Sequence, residues 1–167
     1  VLPTLGVTAE CVTARAEEAV VTRRESYDFA TSRAVARLNI LLELTAPYVK
    51  VGGAVLAMKG TAAKEELAEC KNAMEKLGLK LGIEVHGPNC GTGKACARLV
   101  DGVGAFPTVG VNYDTANVVY WGKDNPDTDI KFCPGKINYC HLKDKIGMDT
   151  SWNFPAIGAG ELHLLDL

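Results

Sequence analysis

Short continuous apolar runs alternate along this chain with longer stretches whose apolar residues recur every three to four positions. The runs predict strands at Glu10–Ala14, Tyr27–Thr31, Ala54–Met58, about Leu81–Val85, Val109–Tyr113 (after Pro107) and Ile137–Leu142. The periodic stretches predict helices at about Val35–Tyr48, Lys64–Leu77 and Lys94–Val103. In the second of these, Leu67, Ala68, Cys70, Met74 and Leu77 are available for packing, and Gly78 is placed to cap it. Asp124-Asn125-Pro126-Asp127 predicts the start of a short helix running through about Phe132. Arg15-Ala16-Glu17-Glu18 reads as a charged connection and Gly52-Gly53 as a turn, while residues 143–167 show no clear period.

From Tyr27 onward the strand starts are spaced by about 27 residues, the length of one βα unit. Continuous apolar strands are expected where both faces of a sheet are covered. The expected class is α/β. About six mainly parallel strands alternate with helices, as an open Rossmann-like sheet or a partial TIM barrel. At 167 residues the expectation is a single domain, and its pattern changes character near residue 80.

Composition narrows the function classes. The net charge is −2, with residues 1–80 at +1 and residues 81–167 at −3. Neither segment draws nucleic acid by charge alone, so a nucleic-acid partner is not expected. No apolar run approaches the ~18 residues of a transmembrane helix, so no membrane partner is expected either. Cys11, Cys70, Cys90, Cys96, Cys133 and Cys140 form no C-x-x-C pair, which argues against a zinc knuckle and for a reducing, cytoplasmic setting. A start at Val1 without Met or a signal peptide suggests a trimmed, processed or engineered chain. An open edge after the sixth strand favours a homo-oligomer.

Parallel sheets place their chemistry at strand C-termini. Here those positions hold Arg15, Arg33, Lys59, Glu84, Asp114 and His141. Two carboxylates and an imidazole suit a divalent metal such as Mn, Mg, Zn or Co, with His86 as a further candidate. The alternative is that they hydrogen-bond βα loops. Arg15, Arg33 and Lys59 read equally as solvated loop charge. Pro88-Asn-Cys-Gly-Thr-Gly-Lys-Ala95 follows a strand and opens a helix as a P-loop does, but Pro88 and Ala95 replace its first Gly and its Ser/Thr. Weak anion binding by the amides of Gly91–Lys94 remains open.

Thr13-Ala-Arg-Ala-Glu-Glu18, Tyr27-Asp-Phe-Ala-Thr-Ser-Arg-Ala-Val-Ala36, Gly52-Gly-Ala-Val-Leu-Ala-Met-Lys-Gly60 and the Glu65–Leu77 helix carry a resemblance over residues 5–80. They resemble the 16S rRNA guanine-N7 methyltransferase family (glucose-inhibited division protein B). That resemblance implies an S-adenosylmethionine site with Arg15, Ala16 and Glu17 beside the adenine, and Arg33 and Lys59 lining the transfer site. The family's Gly-rich loop lies upstream of the matched segment, so S-adenosylmethionine binding is not expected from these residues alone.

Leu81-Gly-Ile-Glu-Val-His86, Val109-Gly-Val-Asn-Tyr-Asp-Thr115, Ile137-Asn-Tyr-Cys-His-Leu-Lys-Asp144 and Trp152-Asn-Phe-Pro-Ala-Ile-Gly-Ala-Gly160 carry a second resemblance. Over residues 81–160 the chain is similar to the sugar-phosphate isomerase/epimerase superfamily of xylose-isomerase-like TIM barrels. That similarity implies metal ligation by Glu84, Asp114 and His141. A fourth ligand normally comes from a later strand, for which Glu161 or His163 are substitutes. The combined expectation is a chimeric or engineered α/β protein without a complete parental site. The alternatives are a metal-dependent sugar isomerase or epimerase and an S-adenosylmethionine-binding remnant.

Overall fold

A computed structural model of the chain describes residues 6–104 and 108–167, so Pro107 lies outside the described residues. The chain divides into two compact units, Val1–Ala63 and Lys64–Leu167. The described residues hold five strands, all paired in parallel, in one two-stranded and one three-stranded sheet. Alternation of these strands with helices gives the expected open α/β architecture of a partial barrel or Rossmann-like sheet.

In the first unit, α1 (Ala16–Arg23) precedes β1 (Tyr27–Arg33), α2 (Leu38–Thr45) with a 3₁₀ turn at Ala46–Tyr48, and β2 (Val49–Met58). The expected strand Glu10–Ala14 is exposed and irregular, and the charged connection after it is α1. Two acids in the first turn and Arg23 in the last complement the helix dipole. Leu38, Leu41 and Leu42 form the buried stripe of α2. β2 starts five residues earlier than predicted because Gly52-Gly53 is a bulge inside the strand. The register jumps from Tyr27↔Val49 to Phe29↔Ala54. Gly52 adopts φ +86°, and a Cβ at Gly53 would strike the Asp28 carbonyl.

The boundary between the units falls after the first residue of α3 (Ala63–Glu69), which with α4 (Lys71–Leu77) is the predicted single helix interrupted at Cys70. Gly78 closes α4 as expected, with the Leu79 N–H bonded to the Met74 carbonyl. Then come β3 (Leu81–Glu84), α5 (Gly93–Gly102), β4 (Val109–Asp114), α6 (Thr115–Tyr120), α7 (Pro126–Asp129) with a 3₁₀ turn at Ile130–Phe132, and β5 (Ile137–His141). β4 is central and almost wholly buried, between edge strands β3 and β5. Val85, Cys96, Ala97, Val111, Tyr113, Val118 and Cys133 make the core, with α5 packed on one face of the sheet.

Tyr113 and Asp129 tie that core together. Asp129 is fully buried and accepts from the Gly93 and Lys94 N–H groups at 2.6 and 3.1 Å and from the Tyr113 hydroxyl at 3.1 Å. Burial first, and the neighbouring Asp129 carboxylate second, push the Tyr113 hydroxyl far above its usual pKa. Asp129 also corrects the anion-site expectation for Gly91–Lys94. An internal carboxylate already takes the amides at the start of α5.

Candidate metal centre

Side chains paired across a parallel sheet project from the same face. β3 and β4 pair Glu84 with Asn112, and β4 and β5 pair Asp114 with His141. Glu84, Asn112, Asp114 and His141 therefore share the face opposite the Val111–Tyr113 core side. One irregularity decides this arrangement. The register advances from Val111↔Ile137 to Asn112↔Tyr139, so β5 carries one extra residue, Asn138. Were Asn138 paired with Asn112 in an unbroken register instead, Cys140 would stand opposite Asp114.

Asn138 has a place to go. Its Nδ2 donates to the Leu81 carbonyl at 2.9 Å, crossing the sheet above Gly110 and Gly82. A Cβ on Gly110 would sit 2.6 Å from the Asn138 Cγ, so only glycine leaves the path open.

Within the resulting group, one ligand atom from each of Glu84, Asp114 and His141 lies within 4.8 Å of the others. His141 Nδ1 is 3.2 Å from Glu84 Oε1 and 3.8 Å from Asp114 Oδ2. The Asn112 amide lies 3.4 Å from His141 Nε2, which leaves Nδ1 turned toward the carboxylates. Asp114 is fully buried. Its Oδ1 accepts from the Asn117 N–H at 2.9 Å and caps α6. Oδ2 has no aligned hydrogen-bond donor among the described residues, although the Lys143 ammonium stands 2.6 Å away. A buried carboxylate oxygen without an aligned donor, beside a second carboxylate and an imidazole, fits a hard or borderline divalent cation. The three residues can hold such an ion.

His86 does not join them. β3 ends at Glu84, the His86 N–H bonds the Cys90 carbonyl, and its ring packs on Trp121 at 5.2 Å. The suggested substitutes for a fourth ligand are held elsewhere. Glu161 accepts from the Gly147 N–H, and His163 pairs with Asp127.

Sequence reasoning quoted Lys143 and Asp144 without assigning them roles. The structure gives each one. Lys143 is pinned by its backbone, whose N–H and C=O both bond Thr115 Oγ1, and its ammonium reaches Asp114 and the Asn117 amide oxygen. Asp144 is buried and accepts from the N–H groups of Lys145, Gly158, Gly160 and Leu162. Burial alone would raise its pKa, but these four donors outweigh burial and hold the carboxyl below its usual range. One carboxylate thus folds residues 158–162 back beside the strand end. Leu142, Lys143, Trp152 and Phe154 line a cavity of about 360 Å³ there.

In the first unit, Arg15 does not end a strand. It precedes α1, and its guanidinium bonds Glu17. Ala16 opens that helix, and its carbonyl accepts from the Tyr48 hydroxyl. Arg33 ends β1 opposite Met58, so Arg33 and Lys59 emerge at the same end of the two-stranded sheet. The Lys59 ammonium donates to the Ala36 carbonyl at 2.7 Å.

The family described as rRNA small subunit methyltransferase G (GidB) matches residues 1–90. The chain belongs to this family. The match reaches beyond β3 and so includes Glu84. The ribosomal RNA small subunit methyltransferase G of Leuconostoc citreum is 57% identical over 58 residues, 35% of this chain and 24% of that protein. The Thermotoga neapolitana protein of the same name is 48% identical over 73 residues, 44% of this chain and 32% of its own length. The chain thus spans between about a quarter and a third of these relatives. Among solved structures, a xylose isomerase domain protein from Planctomyces limnophilus superposes with a TM-score of 0.51 at 19% identity, covering 63% of this chain and 40% of that one. A D-tagatose 3-epimerase-like protein gives a TM-score of 0.50 at 18% identity, covering 83% of this chain and 48% of its own. These likenesses concern the fold. Both resemblances read from the sequence therefore hold, one as family membership and the other as fold. Among the described residues, no helix is long and apolar enough to cross a membrane.

Proposed function

We propose that the chain is a chimeric or engineered α/β protein. It joins a methyltransferase-derived segment to a TIM-barrel-type segment, completes neither parental active site, and binds a divalent cation at Glu84, Asp114 and His141. The observation that carries this reading is the convergence of three ligand atoms within 4.8 Å around a buried carboxylate. When bound, such an ion supplies Lewis-acid polarisation of a carbonyl or hydroxyl oxygen. Glu84 and His141, both partly exposed, keep the centre open to solvent on one side. Asn112 orients the imidazole, and Asn117 fixes the Asp114 carboxylate.

The second reading is a metal-dependent sugar isomerase or epimerase, favoured by the cavity beside Lys143 and by the two fold likenesses. A remnant S-adenosylmethionine site at Arg15, Ala16, Glu17, Arg33 and Lys59 is supported by the family match alone. The local bonds of Arg15 and Lys59 to Glu17 and Ala36 oppose it.

Mn²⁺ titration calorimetry on the metal-stripped chain tests the main reading. The expected result is one site per chain, with affinity falling about 10- to 100-fold or more in both Glu84→Gln and His141→Ala, as loss of a ligand predicts. Equal binding by the parent and both variants would place the ion elsewhere.

A further inference from the structure

We propose that Lys143 is an internal competitor for the cation. Its ammonium pairs with the same Asp114 oxygen that a divalent ion needs, and it must withdraw when the ion binds. This inference rests on the metal-binding reading above.

The argument starts from Asp114. Its side chain is fully buried, and Oδ1 is committed to the Asn117 N–H. That leaves Oδ2 to face a cation. Lys143 Nζ stands 2.6 Å from Oδ2, at contact distance for an ion pair. Two positive charges sharing that one oxygen repel strongly in a site so withdrawn from water.

The two partners differ in freedom. Asp114 cannot move without breaking the cap of α6. The Lys143 side chain is 40% exposed, so its ammonium can leave while its backbone stays bonded to Thr115. A route is already marked. Nζ lies 3.3 Å from the Asn117 amide oxygen and 5.7 Å from the centre of the Phe154 ring, on the cavity side.

The device has two effects. Without the ion, the lysine keeps a buried carboxylate from standing unpaired, which would otherwise be strongly destabilising. With the ion, displacing the lysine subtracts from the binding energy, so the site is held weaker and more exchangeable than its donors alone would make it. Lysine suits this role better than arginine, because its single ammonium on a flexible stem gives up one contact rather than a fork of them.

The test compares the full chain with Lys143→Met and Lys143→Gln, using Mn²⁺ calorimetry and thermal unfolding with and without Mn²⁺. His141→Ala serves as control. Both lysine variants are expected to bind Mn²⁺ at least tenfold more tightly than the parent. Both are expected to melt lower without the ion and to gain more from its addition. The glutamine variant keeps the test decisive if the methionine variant does not fold. Parent-like or weaker Mn²⁺ binding in the lysine variants, with the parent binding and His141→Ala not, overturns the competitor and leaves the metal centre standing. No binding by the parent or the lysine variants overturns the metal centre and the competitor with it.

Discussion

The two sheets have the same parallel geometry and differ in what covers them. In the second unit, β4 lies between two strands, with five of its six residues buried. In the first, among the described residues β1 and β2 pair only with each other, and Phe29, Val51 and Met58 are 66, 93 and 58% exposed. The high sequence identity belongs to the family match that contains the open sheet, whereas the barrel-like proteins share under a fifth of their sequence. Kinship and burial are therefore separate quantities here. A segment can keep its family's residues and still lack the layers that would cover them. Conversely, a parallel strand packed on one face and pinned by buried polar groups can hold three ligand atoms together.

The largest effect is expected where that pinning reaches into the core of the second sheet. Asp129→Ala strands the Gly93 and Lys94 amides and leaves the Tyr113 hydroxyl with the Pro126 carbonyl at 3.4 Å, and should cost about 3 kcal/mol by the usual penalty for orphaned partners of a buried charge. Urea unfolding monitored by hydrogen exchange should show β4 losing protection while β1 and β2 keep theirs. Equal losses in both sheets would break the contrast between the units.

A smaller effect is expected at Asp144. Its folded pKa is depressed, so its contribution to stability is complete above the unfolded value of about 4 and is lost as pH falls through the folded value. Asp144→Asn should cost about 1–3 kcal/mol at pH 7. It should also show a shallower fall in melting temperature between pH 5 and pH 2 than the parent. Parallel pH profiles would remove the carboxylate from this role.

The smallest effect sharpens the contrast from the other side. Phe29→Ser should change stability by only about 0.5 kcal/mol, because an exposed ring has little burial to lose. A drop of several degrees in melting temperature would mean that something covers that sheet face in solution.

The sequence made the β3, β4 and β5 segments legible because Leu81, Val109 and Ile137 each open a compact apolar run after a turn residue or polar stretch. It misled at Cys11-Val12-Thr13, where β-branched residues suggest a strand that pairs with no neighbour among the described residues. It hid α6, whose Val118 and Val119 lower helix propensity, because the cap that starts the helix is Asp114, itself a strand residue. Of the site, the three ligands were readable from residue type and strand end. Their alignment was not, since Asn138 shifts the register without altering any apolar pattern. Lys143 and Asp144 sat in plain view within one short motif, but their partners Asp114, Gly158 and Gly160 are reachable only through the fold.

That extra residue in β5 makes cation preference a matter of reading frame. Inserting one residue between Tyr139 and Cys140, with the Asn138 bulge kept, leaves every donor in the chain but slides a thiol to where the imidazole stood, with Cys140 facing Asp114. A site of oxygen and nitrogen, suited to manganese or magnesium, would become one of oxygen and sulfur, suited to softer ions such as zinc. The chemical hardness of this centre is therefore set by where β5 is counted from, and a change in length can retune it without substituting any of its ligands.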